Sequence, residues 1–403
     1  MNGDIIKNRD IVIVGQQPWD VAIGSNCKDI AAEFSKHNRV LYVNPALDRI
    51  TKYKRGREPE IIKRLEVLNK KRKGLTQQTN NLWELNTDRL MESINKIKIR
   101  PLFNLLNRRN NSKFATSIIE AMEELGFTDI ILFNDNDMFR SFYLKEFLKP
   151  AISIYYSRDF MLGVDYWKYH GQIIEPELIR KSDLAVANSI YLSNYCKKYN
   201  PNSHYVGQGC DLTLFVDSPS LKIPAIIENI EGPIIAYVGS LNSDRLDIDL
   251  LVHIAKSRSD WHIVLVGPAD DKFRNSVLNE LINVTFTGHV PESQLPSFIK
   301  GFDVCLNPQL LNEITIGNYP RKIDEYLAMG KPVVATSTEA MEAFKAYVYL
   351  AKNKEEYINL IAKALVENTP SLAESRKLFA SSHTWENSVA EIYGAIKRTF
   401  SKS

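Results

Sequence analysis

Short apolar segments alternate with helix-like stretches along almost the whole chain, and this alternation constrains the fold more than any other feature of the sequence. Several segments, such as DIVIVG at 10–15 and WHIVLVGP at 261–268, are apolar at successive positions rather than at every second one. A strand with that pattern is buried on both faces, which is typical of a parallel sheet covered by helices on both sides. The sequence therefore predicts an α/β protein built from doubly wound, Rossmann-like sheets.

The predicted strands fall into two groups of six, and many of them end in Gly, Asn or Ser, where a strand gives way to a loop. The first group lies at 10–15, 39–44, 129–134, 151–157, 183–189 and 204–209, and the second at 233–240, 261–268, 284–288, 302–308, 332–337 and 346–350. Between the groups, a stretch at 216–233 contains three prolines and shows no clear period, which is typical of a linker.

The length of the chain also favours two domains, because 403 residues exceed what one core usually holds. The prediction is an N-terminal domain over 1–215, a linker over 216–231 and a C-terminal domain over 232–385. In doubly wound sheets, ligands bind beyond the carboxyl ends of the strands. With two such domains, the expected binding site is the cleft between them.

Other features of the composition exclude several classes of protein. No apolar run is long enough to span a bilayer, and the N-terminal stretch MNGDIIKNRDIVIVGQQ lacks the apolar core and cleavage site of a signal peptide. The four cysteines lie far apart with no C-x-x-C pair, which argues against a disulfide framework or a zinc site. We therefore expect a cytoplasmic protein.

Positive charge is concentrated in one part of the chain, residues 48–113, which we call the basic segment. It contains 18 Lys and Arg against 7 Asp and Glu, a net charge of +11, which leaves −8 for the rest of a chain whose total is +3. Its stretch IKIRPLFNLLNRRNNSKF mixes cations with Leu, Ile and Phe, as a peripheral element on an anionic membrane would. The alternative is a set of solvated helix faces and loops. Nucleic acid is not an expected partner, because no recognition helix or aromatic-interleaved sheet accompanies the charge.

Residues 318–337, with the sequence NYPRKIDEYLAMGKPVVATS, predict a short helix followed by a buried strand. Proline is well tolerated in the first helical turn, so the helix is expected to begin at Pro320, with Asn318 or Tyr319 as its cap. Gly330 supplies a left-handed stop, and the next proline prevents continuation of the helix.

Two charged residues of this helix suggest a ligand site. Lys322 and Glu325 are three residues apart and share one face of the first turns. The free N–H groups and the positive dipole of the helix N-terminus, together with the Lys322 ammonium, suit a diphosphate. The carboxylate oxygens of Glu325 suit two neighbouring hydroxyls, such as a ribose diol. The alternative is an ordinary i,i+3 ion pair on the helix surface.

Loop residues after other strands of the second half point to the same kind of site. Gly239 and Ser240 end one strand, where the backbone can approach a phosphate closely, and Arg245 follows in the same loop. Another strand ends at Gly267, and the stretch 288–290 precedes a helix. Together with the strand that ends at 308, these strand ends predict a site large enough for a nucleotide.

Two segments of the second half resemble the donor-binding domain of GT-B-fold glycosyltransferases. They are AYVGSLNSDRLDIDLLVHIAKSRSDWHIVLVGP and GHVPESQLPSFIKGFDVCLNP with the NYPRKIDEYLAMGKPVVATS that follows. In the first half, GQQPWD, HNRVLYVNP, ISIYYSRDF, DLAVANSIYLSNY and HYVGQGCDLTLF are similar to a bacterial subgroup that acts in cell-surface polysaccharide synthesis, of teichuronic-acid or xanthan type. The resemblance implies two Rossmann-like domains facing across a cleft. It also implies that the terminal helix, 386–403, returns to the first domain, with Trp385 near the crossing.

Carried over residue by residue, the resemblance implies a nucleotide-sugar donor site. Lys322 matches the lysine that binds the donor diphosphate, Glu325 the glutamate that binds the ribose, and Gly239 the phosphate-loop glycine. His289 and Val290 match the loop that holds the base. The full predicted donor set is Gly239, Ser240, Arg245, Gly267, His289, Val290, Tyr319, Lys322 and Glu325.

The sequence departs from the family pattern at positions next to this set. Gly317 stands where many members carry a glutamate that touches the donor sugar. Ser240 stands where a basic residue often follows the phosphate-loop glycine, and Arg245 is placed to substitute for a family lysine a few residues later. These departures leave the donor sugar and the stereochemical outcome open.

Candidate residues for acceptor chemistry lie in the first half. An inverting transferase needs a base that takes the proton from the attacking hydroxyl. Asp159, just past a strand end in YYSRDF, is the predicted base, and Trp19, Asp20, Asp135 and His170 are predicted to lie near the acceptor or the cleft. A carboxylate in such a loop is alternatively a helix cap or a turn former.

The predicted function is transfer of a sugar from a nucleotide-diphosphate sugar, expected to be a UDP-sugar, to a glycan or a lipid-linked acceptor. Lys322 and its helix N-terminus would stabilise the leaving diphosphate, so neither a metal nor a cofactor is expected. The nearest metal-like motif, NDND at 134–137, lies in the other domain. One alternative is a sugar-nucleotide epimerase of the same fold, which needs a different acid/base set and no acceptor. Another is a non-catalytic sugar-nucleotide-binding partner, which Gly317 keeps open.

Overall fold

The computed structural model describes residues 5–20 and 24–401. The strands are β1 (Asp10–Val14), β2 (Arg39–Val43), β3 (Leu75–Thr79), β4 (Leu82–Leu85), β5 (Ile131–Asp135), β6 (Ile152–Ser157), β7 (Leu184–Ala187), β8 (Ser203–Tyr205), β9 (Ile234–Val238), β10 (His262–Val266), β11 (Val284–Gly288), β12 (Val304–Asn307), β13 (Val333–Thr336) and β14 (Tyr349–Ala351). The α-helices are α1 (Asn26–Ser35), α2 (Arg49–Arg55), α3 (Pro59–Leu68), α4 (Arg100–Leu125), α5 (Leu144–Leu148), α6 (Asp165–Lys181), α7 (Ile190–Lys197), α8 (Ala225–Glu228), α9 (Ile248–Ser257), α10 (Asp271–Arg274), α11 (Leu295–Lys300), α12 (Lys322–Ala328), α13 (Lys354–Glu367), α14 (Pro370–Ser381) and α15 (Trp385–Phe400). Short 3-10 helices lie at Met161–Gly163, Val277–Glu280, Glu292–Gln294 and Glu339–Phe344.

The chain divides into two compact units. The N-terminal unit consists of the chain up to Gly207 and the terminal segment from Trp385 onward. The C-terminal unit runs from Gln208 to Thr384. The division thus falls after Gly207 rather than after residue 215. Residues 216–231, predicted as a linker, belong to the C-terminal unit because their apolar side chains pack into its core, where Ile227 of α8 is 1% exposed.

The N-terminal unit contains an eight-stranded sheet with the order β3-β4-β2-β1-β5-β6-β7-β8. Its strands pair in parallel, except that β3 and β4 form an antiparallel hairpin at one edge. The apolar pattern did not predict this hairpin, because four of the five residues of β3 are exposed. A strand that is not buried on either face carries no continuous apolar run.

The C-terminal unit contains a six-stranded parallel sheet with the order β11-β10-β9-β12-β13-β14. The chain first adds strands on one side of β9 and then returns to pair β12 on its other side. This reversal makes the gap between the carboxyl ends of β9 and β12 the topological switch point, where ligands bind in such sheets. Buried clusters cover both faces of the sheet. The predicted α/β class with two doubly wound sheets is therefore confirmed.

Helix α15 packs on the N-terminal unit, as the resemblance implied. Its residues Ile392 and Ile396 are buried in the same core cluster as Phe34 of α1. Just after α1, Asn38 Nδ2 donates a hydrogen bond of 2.8 Å to the hydroxyl of Tyr393 in α15. Helix α15 is thus amphipathic and buries one face in this core.

The basic segment forms α2, α3, the β3–β4 hairpin and the first part of α4. Large apolar side chains are exposed beside its cations, among them Tyr53 at 90%, Leu105 at 67% and Ile99 at 65%. Of the helices within the described ranges, none is both long enough and apolar enough to cross a bilayer.

A buried carboxyl group in the N-terminal unit makes its stability depend on pH. Glu175 of α6 is 1% exposed and accepts hydrogen bonds from the hydroxyls of Tyr155 (2.6 Å) and Tyr195 (3.0 Å). Burial raises the pKa of Glu175 to about 7. Because the unfolded chain releases this proton at a pH of about 4.3, the folded state holds more protons between these values, and stability falls as the pH rises through that window.

We expect Glu175→Gln to remove this contribution. Between pH 5 and pH 8, the free energy of unfolding of the natural protein should fall by about 2 kcal/mol relative to the variant. Denaturant unfolding followed by circular dichroism at the two pH values measures the difference. Glu177→Gln, at an exposed position of the same helix, is the control and should track the natural protein. A difference between the natural protein and Glu175→Gln that does not change with pH would contradict the prediction.

Candidate functional site

A cavity of about 570 Å³ lies at the carboxyl ends of the strands of the C-terminal unit. Its walls include the ends of β9 and β12 and the loop that leads into α12, so it lies at the topological switch point. Six of the nine residues of the predicted donor set line it, namely Gly239, Ser240, Arg245, Tyr319, Lys322 and Glu325. The structure therefore brings most of the predicted set together in one place.

Helix α12 is shorter than the predicted helix from Pro320 to Gly330, since it runs from Lys322 to Ala328. The first turn is tighter than an α-helix, because the N–H of Ile323 donates to the carbonyl of Pro320. Arg321 occupies the cap position, and no side chain bonds to the N-terminal turn. The predicted left-handed stop at Gly330 is present, with φ of +73°. A helix of seven residues adds little dipole, so the Lys322 charge must carry most of the attraction for an anion.

The Lys322 ammonium points into the cavity without a carboxylate partner among the described residues. Its Nζ donates a hydrogen bond of 2.7 Å to the Tyr237 hydroxyl and lies 4.5 Å from the centroid of that ring. Among the described residues, Lys322 and Glu325 are not joined by an ion pair within 4.0 Å, so the alternative of an i,i+3 surface pair does not describe the structure. The charge of Lys322 is thus available to an anionic ligand.

Gly239 leaves the space beside this ammonium open. Its φ is +137°, which lies in the region that favours glycine. A Cβ at Gly239 would lie 3.3 Å from Cε and 3.4 Å from Nζ of Lys322. The strand end and the ammonium can therefore approach the same small group from two sides.

Glu325 contributes acceptor atoms to the same cavity. Burial raises the pKa of its carboxyl group, and the charges of Arg321 and Lys322 oppose the rise. Within the described part of the chain, its carboxylate accepts no hydrogen bond from the protein. Both oxygens are therefore available to hydroxyl groups of a ligand.

Tyr319, in the cavity wall, is held by a buried carboxylate that was not predicted. The Tyr319 hydroxyl donates to Asp324 Oδ2 at 2.8 Å, and His383 Nδ1 lies 2.6 Å from Asp324 Oδ1. Asp324 is fully buried, and burial raises the pKa of its carboxyl group against the opposing effect of His383 and Tyr319. The sequence carries no signal for this contact, because Asp324 and His383 lie in distant segments.

Three residues of the predicted donor set lie outside the cavity lining. Gly267 follows β10 with φ of +139°, and a Cβ there would lie 2.0 Å from the carbonyl oxygen of Gly239. It therefore allows the end of β9 to approach closely. His289 is exposed, and Val290 packs at the margin of the core after the edge strand β11.

Further polar side chains in the lining were not predicted, namely Asn242, Glu292, Asn307, Gln309, Thr315, Asn318 and Arg321. Asn307 ends β12, so the strand-end argument that singled out Gly239 would also have found it. Tyr237 lies inside the apolar strand β9, and nothing in the sequence distinguishes it from a core residue.

In the N-terminal unit, two predicted carboxylates share one cation. Arg158 Nε donates to Asp135 Oδ1 at 2.7 Å, and Arg158 Nη1 donates to Asp159 Oδ2 at 3.0 Å. Asp135 is fully buried and also accepts from the N–H of Gln16 at 3.2 Å. The side chain of Asp159 is 46% exposed. Of the two, Asp159 is the one that a substrate can reach, whereas Asp135 fixes the arginine.

The other predicted residues of this unit have structural contacts. Trp19 is half-buried against the core of the unit, and Asp20 pairs with Lys63 Nζ at 3.3 Å. His170 is buried on α6 and stacks on the Phe103 ring with 3.6 Å between the ring centroids. Burial lowers the pKa of His170. The structure thus places this ring in the core rather than at an open site.

The NDND motif at 134–137 is occupied by contacts within the protein. Asp135 pairs with Arg158, and Asp137 pairs with Arg140. Among the described residues, no group of three or more His, Cys, Asp or Glu side chains is arranged to hold a metal ion.

Comparison with known proteins agrees with this architecture. Residues 232–367 match the family Glycosyl transferases group 1. The chain is 28% identical over 226 residues to a Bacillus subtilis (strain 168) protein named "Putative teichuronic acid biosynthesis glycosyltransferase TuaH", and the match covers 52% of this chain and 56% of that protein. The matched region therefore spans little more than half the length of this relative.

Solved structures share the fold over nearly the whole chain. Sucrose-phosphate synthase (tll1590) from Thermosynechococcus elongatus has a TM-score of 0.69 at 14% identity, covering 98% of this chain and 100% of that one. Anabaena Alr3699/HepE, solved with UDP and glucose, has a TM-score of 0.63 at 15% identity, covering 97% and 100%. Residues 232–367 are thus similar to group 1 glycosyl transferases, and the chain shares its two-domain α/β fold with these solved structures.

Proposed function

We propose that the chain transfers a sugar from a nucleotide-diphosphate sugar to a glycan or a lipid-linked acceptor in bacterial surface polysaccharide synthesis. The observation that carries this proposal is the Lys322 ammonium, which lies in a cavity at the switch point with no carboxylate partner in the described ranges. A UDP-sugar is the proposed donor. It is supported by Alr3699/HepE, a structure of the same fold that was solved with UDP-glucose.

The proposed roles follow from the chemistry of each side chain. The bond from the anomeric carbon to the diphosphate breaks, and negative charge develops on the leaving oxygen. Lys322 stabilises that charge most effectively in a cavity from which water is partly excluded. Glu325 accepts hydrogen bonds from the ribose hydroxyls, and the backbone at Gly239 approaches the phosphates. Asp159 is the proposed base that takes the acceptor proton, supported by its exposed side chain at the end of β6.

We also propose that the reaction needs no divalent metal. Arg245, Arg321 and Lys322 line the same cavity, and they outnumber the carboxylates of Glu292 and Glu325 there. A diphosphate in this cavity would meet a surplus of positive charge. Such a surplus can stabilise the charge of the leaving diphosphate, as a metal ion does in other transferases.

The proposed location is the cytoplasmic face of the membrane, where the basic segment would contact anionic lipid. In α2, Lys52 and Lys54 flank Tyr53, which is 90% exposed. At the start of α4, Ile99 and Leu105 are exposed in a stretch with several cations. Exposed apolar side chains next to lysines are typical of helices that lie in the interface of a bilayer.

One experiment tests the reaction and the need for a metal together. The protein is incubated with a panel of UDP-sugars and bacterial membrane extract that contains lipid-linked glycans, with and without EDTA. The expected result is release of UDP that depends on the extract and persists in EDTA. Isomerised sugar nucleotide without release would support an epimerase, and binding without either product would support a non-catalytic partner. Loss of activity in EDTA, restored by Mn²⁺, would overturn metal independence.

The location is read from the same preparation by sedimentation with vesicles. Binding to vesicles that contain phosphatidylglycerol, and its loss with phosphatidylcholine alone or at high salt, is the expected outcome. Equal binding to both kinds of vesicle, or to neither, would contradict the proposed anionic membrane contact.

A further inference from the structure

Asn307 has a buried side-chain amide that lacks a hydrogen-bond partner. The residue ends β12, lines the cavity and is 2% exposed, yet its Nδ2 donates to no group among the described residues. Leaving a buried donor unpaired costs about 1–3 kcal/mol, and native structures contain few such groups. An unpaired donor in a cavity wall therefore points to a ligand that supplies the acceptor.

The polar groups around Asn307 are already engaged. Its own carbonyl oxygen accepts from the Tyr357 hydroxyl at 2.9 Å, which fixes the end of the strand. Gln309 Nε2 donates to the carbonyl oxygen of Thr315 at 2.8 Å. The backbone of Asn307 is thus held in place, whereas its side-chain amide can form a hydrogen bond with a ligand in the cavity.

The position of Asn307 relative to the Lys322 ammonium indicates which part of a ligand it would meet. In the parallel pairing of β12 with β9, Cys305 is the partner of Ala236. Two residues further along each strand, Asn307 of β12 is therefore level with Val238 of β9. Neighbouring strands lie about 4.8 Å apart, which is close to the width of one sugar ring. A sugar attached to a diphosphate that lies between Gly239 and Lys322 would therefore be within reach of the amide.

We propose that Asn307 Nδ2 donates a hydrogen bond to a hydroxyl oxygen of the donor sugar, and that Asn307 thereby helps to select that sugar. This inference rests on the proposed function, because it assumes that a nucleotide-diphosphate sugar occupies the cavity. An amide can both donate to and accept from a hydroxyl group. A sugar hydroxyl matches both functions of the amide, whereas an ionised phosphate oxygen can only accept.

The test compares the affinity for UDP alone with the affinity for UDP-sugars by calorimetry. The sugars are UDP-glucose, UDP-galactose, UDP-N-acetylglucosamine and UDP-glucuronic acid, and the one that the natural protein binds most tightly is then used with the variants. Asn307→Leu keeps the size of the side chain and removes the hydrogen bonds, and Asn307→Asp removes the donor. We expect both to weaken UDP-sugar binding about 10-fold, with Asn307→Leu leaving UDP binding within twofold.

A second readout separates recognition from a structural role. Removing an unpaired amide should leave the thermal stability of the ligand-free protein unchanged or raise it, so Asn307→Leu should not lower the melting temperature. The control is Asn229→Leu, at an exposed position outside the cavity of the same unit, which should bind both ligands as the natural protein does.

The outcomes that overturn the inference differ from those that overturn the proposed function. Equal weakening of UDP and UDP-sugar binding by Asn307→Leu, or unchanged binding of both, would exclude a sugar contact. A natural protein that binds neither UDP nor any UDP-sugar would overturn the proposed function, and the inference would fall with it.

Discussion

Lys322→Ala should lower kcat/KM for the nucleotide sugar by about 100-fold or more. The ammonium lies in the cavity and forms no ion pair with a carboxylate of the described residues, and its Nζ is held 2.7 Å from the Tyr237 hydroxyl. Charge that develops on a leaving diphosphate would therefore meet a positioned cation, and alanine would remove it. UDP affinity, measured by calorimetry, should fall as well, because the product carries the same charge.

Two further variants define the contribution of Lys322. Tyr237→Phe keeps the ring under the ammonium and removes only the hydroxyl, so we expect a loss of about 10-fold or less. Lys345→Ala removes an exposed lysine that pairs with Glu342 at 3.3 Å in the same unit, and its activity should be unchanged. Unchanged UDP affinity in a folded Lys322→Ala protein would show that the cavity is not the diphosphate site.

Gly267→Ala should destabilise the C-terminal unit by about 3 kcal/mol or more, although Gly267 does not line the cavity. The added Cβ would lie 2.0 Å from the carbonyl oxygen and 2.8 Å from the carbonyl carbon of Gly239. The φ of +139° at Gly267 is itself unfavourable for alanine. A backbone atom cannot move away without displacing the end of β9. Unfolding in urea measures the loss, and UDP binding should weaken because Gly239 must shift.

Gly288→Ala is the matched control in the neighbouring strand. Its φ is +71°, but a Cβ there would have no atom within 4 Å. The substitution should therefore cost about 1 kcal/mol, which is the conformational penalty alone. Equal losses in the two variants would show that the close approach of Gly267 to Gly239 does not determine stability.

The strands were the part of the fold that local pattern predicted well. Each of the twelve predicted strand segments overlaps an observed strand. Burial on both faces of a parallel sheet requires continuous apolar residues, so the requirement is visible in the sequence itself. The β3–β4 hairpin was not predicted because β3 is mostly exposed. The start of α12 was predicted two residues too early because Pro320 and Arg321 form a tight turn instead of an α-helical one.

The candidate site was predictable only in part. Gly239, Lys322 and Glu325 lie at strand ends or in a helix start, where loop chemistry and resemblance both single them out. Asn307 also lies at a strand end, but only the structure shows that its amide lacks a partner among the described residues. Tyr237 and Asp324 carry no comparable signal, because each gains its role from a neighbour that is distant in sequence. The same is true of Gly267, which the sequence suggested as a ligand residue and the structure shows against a backbone carbonyl.

The sequence by itself determined the α/β class, the two doubly wound sheets, the left-handed stop at Gly330 and the strand ends at which ligands bind. These features depend on local burial patterns and local backbone preferences, which residues close together in the sequence determine. Only the tertiary structure decided that Lys322 meets Tyr237, that Asp324 meets His383 and that Gly267 lies against Gly239. The physical reason is that such contacts depend on strand order and register, which bring distant residues together and leave no local pattern.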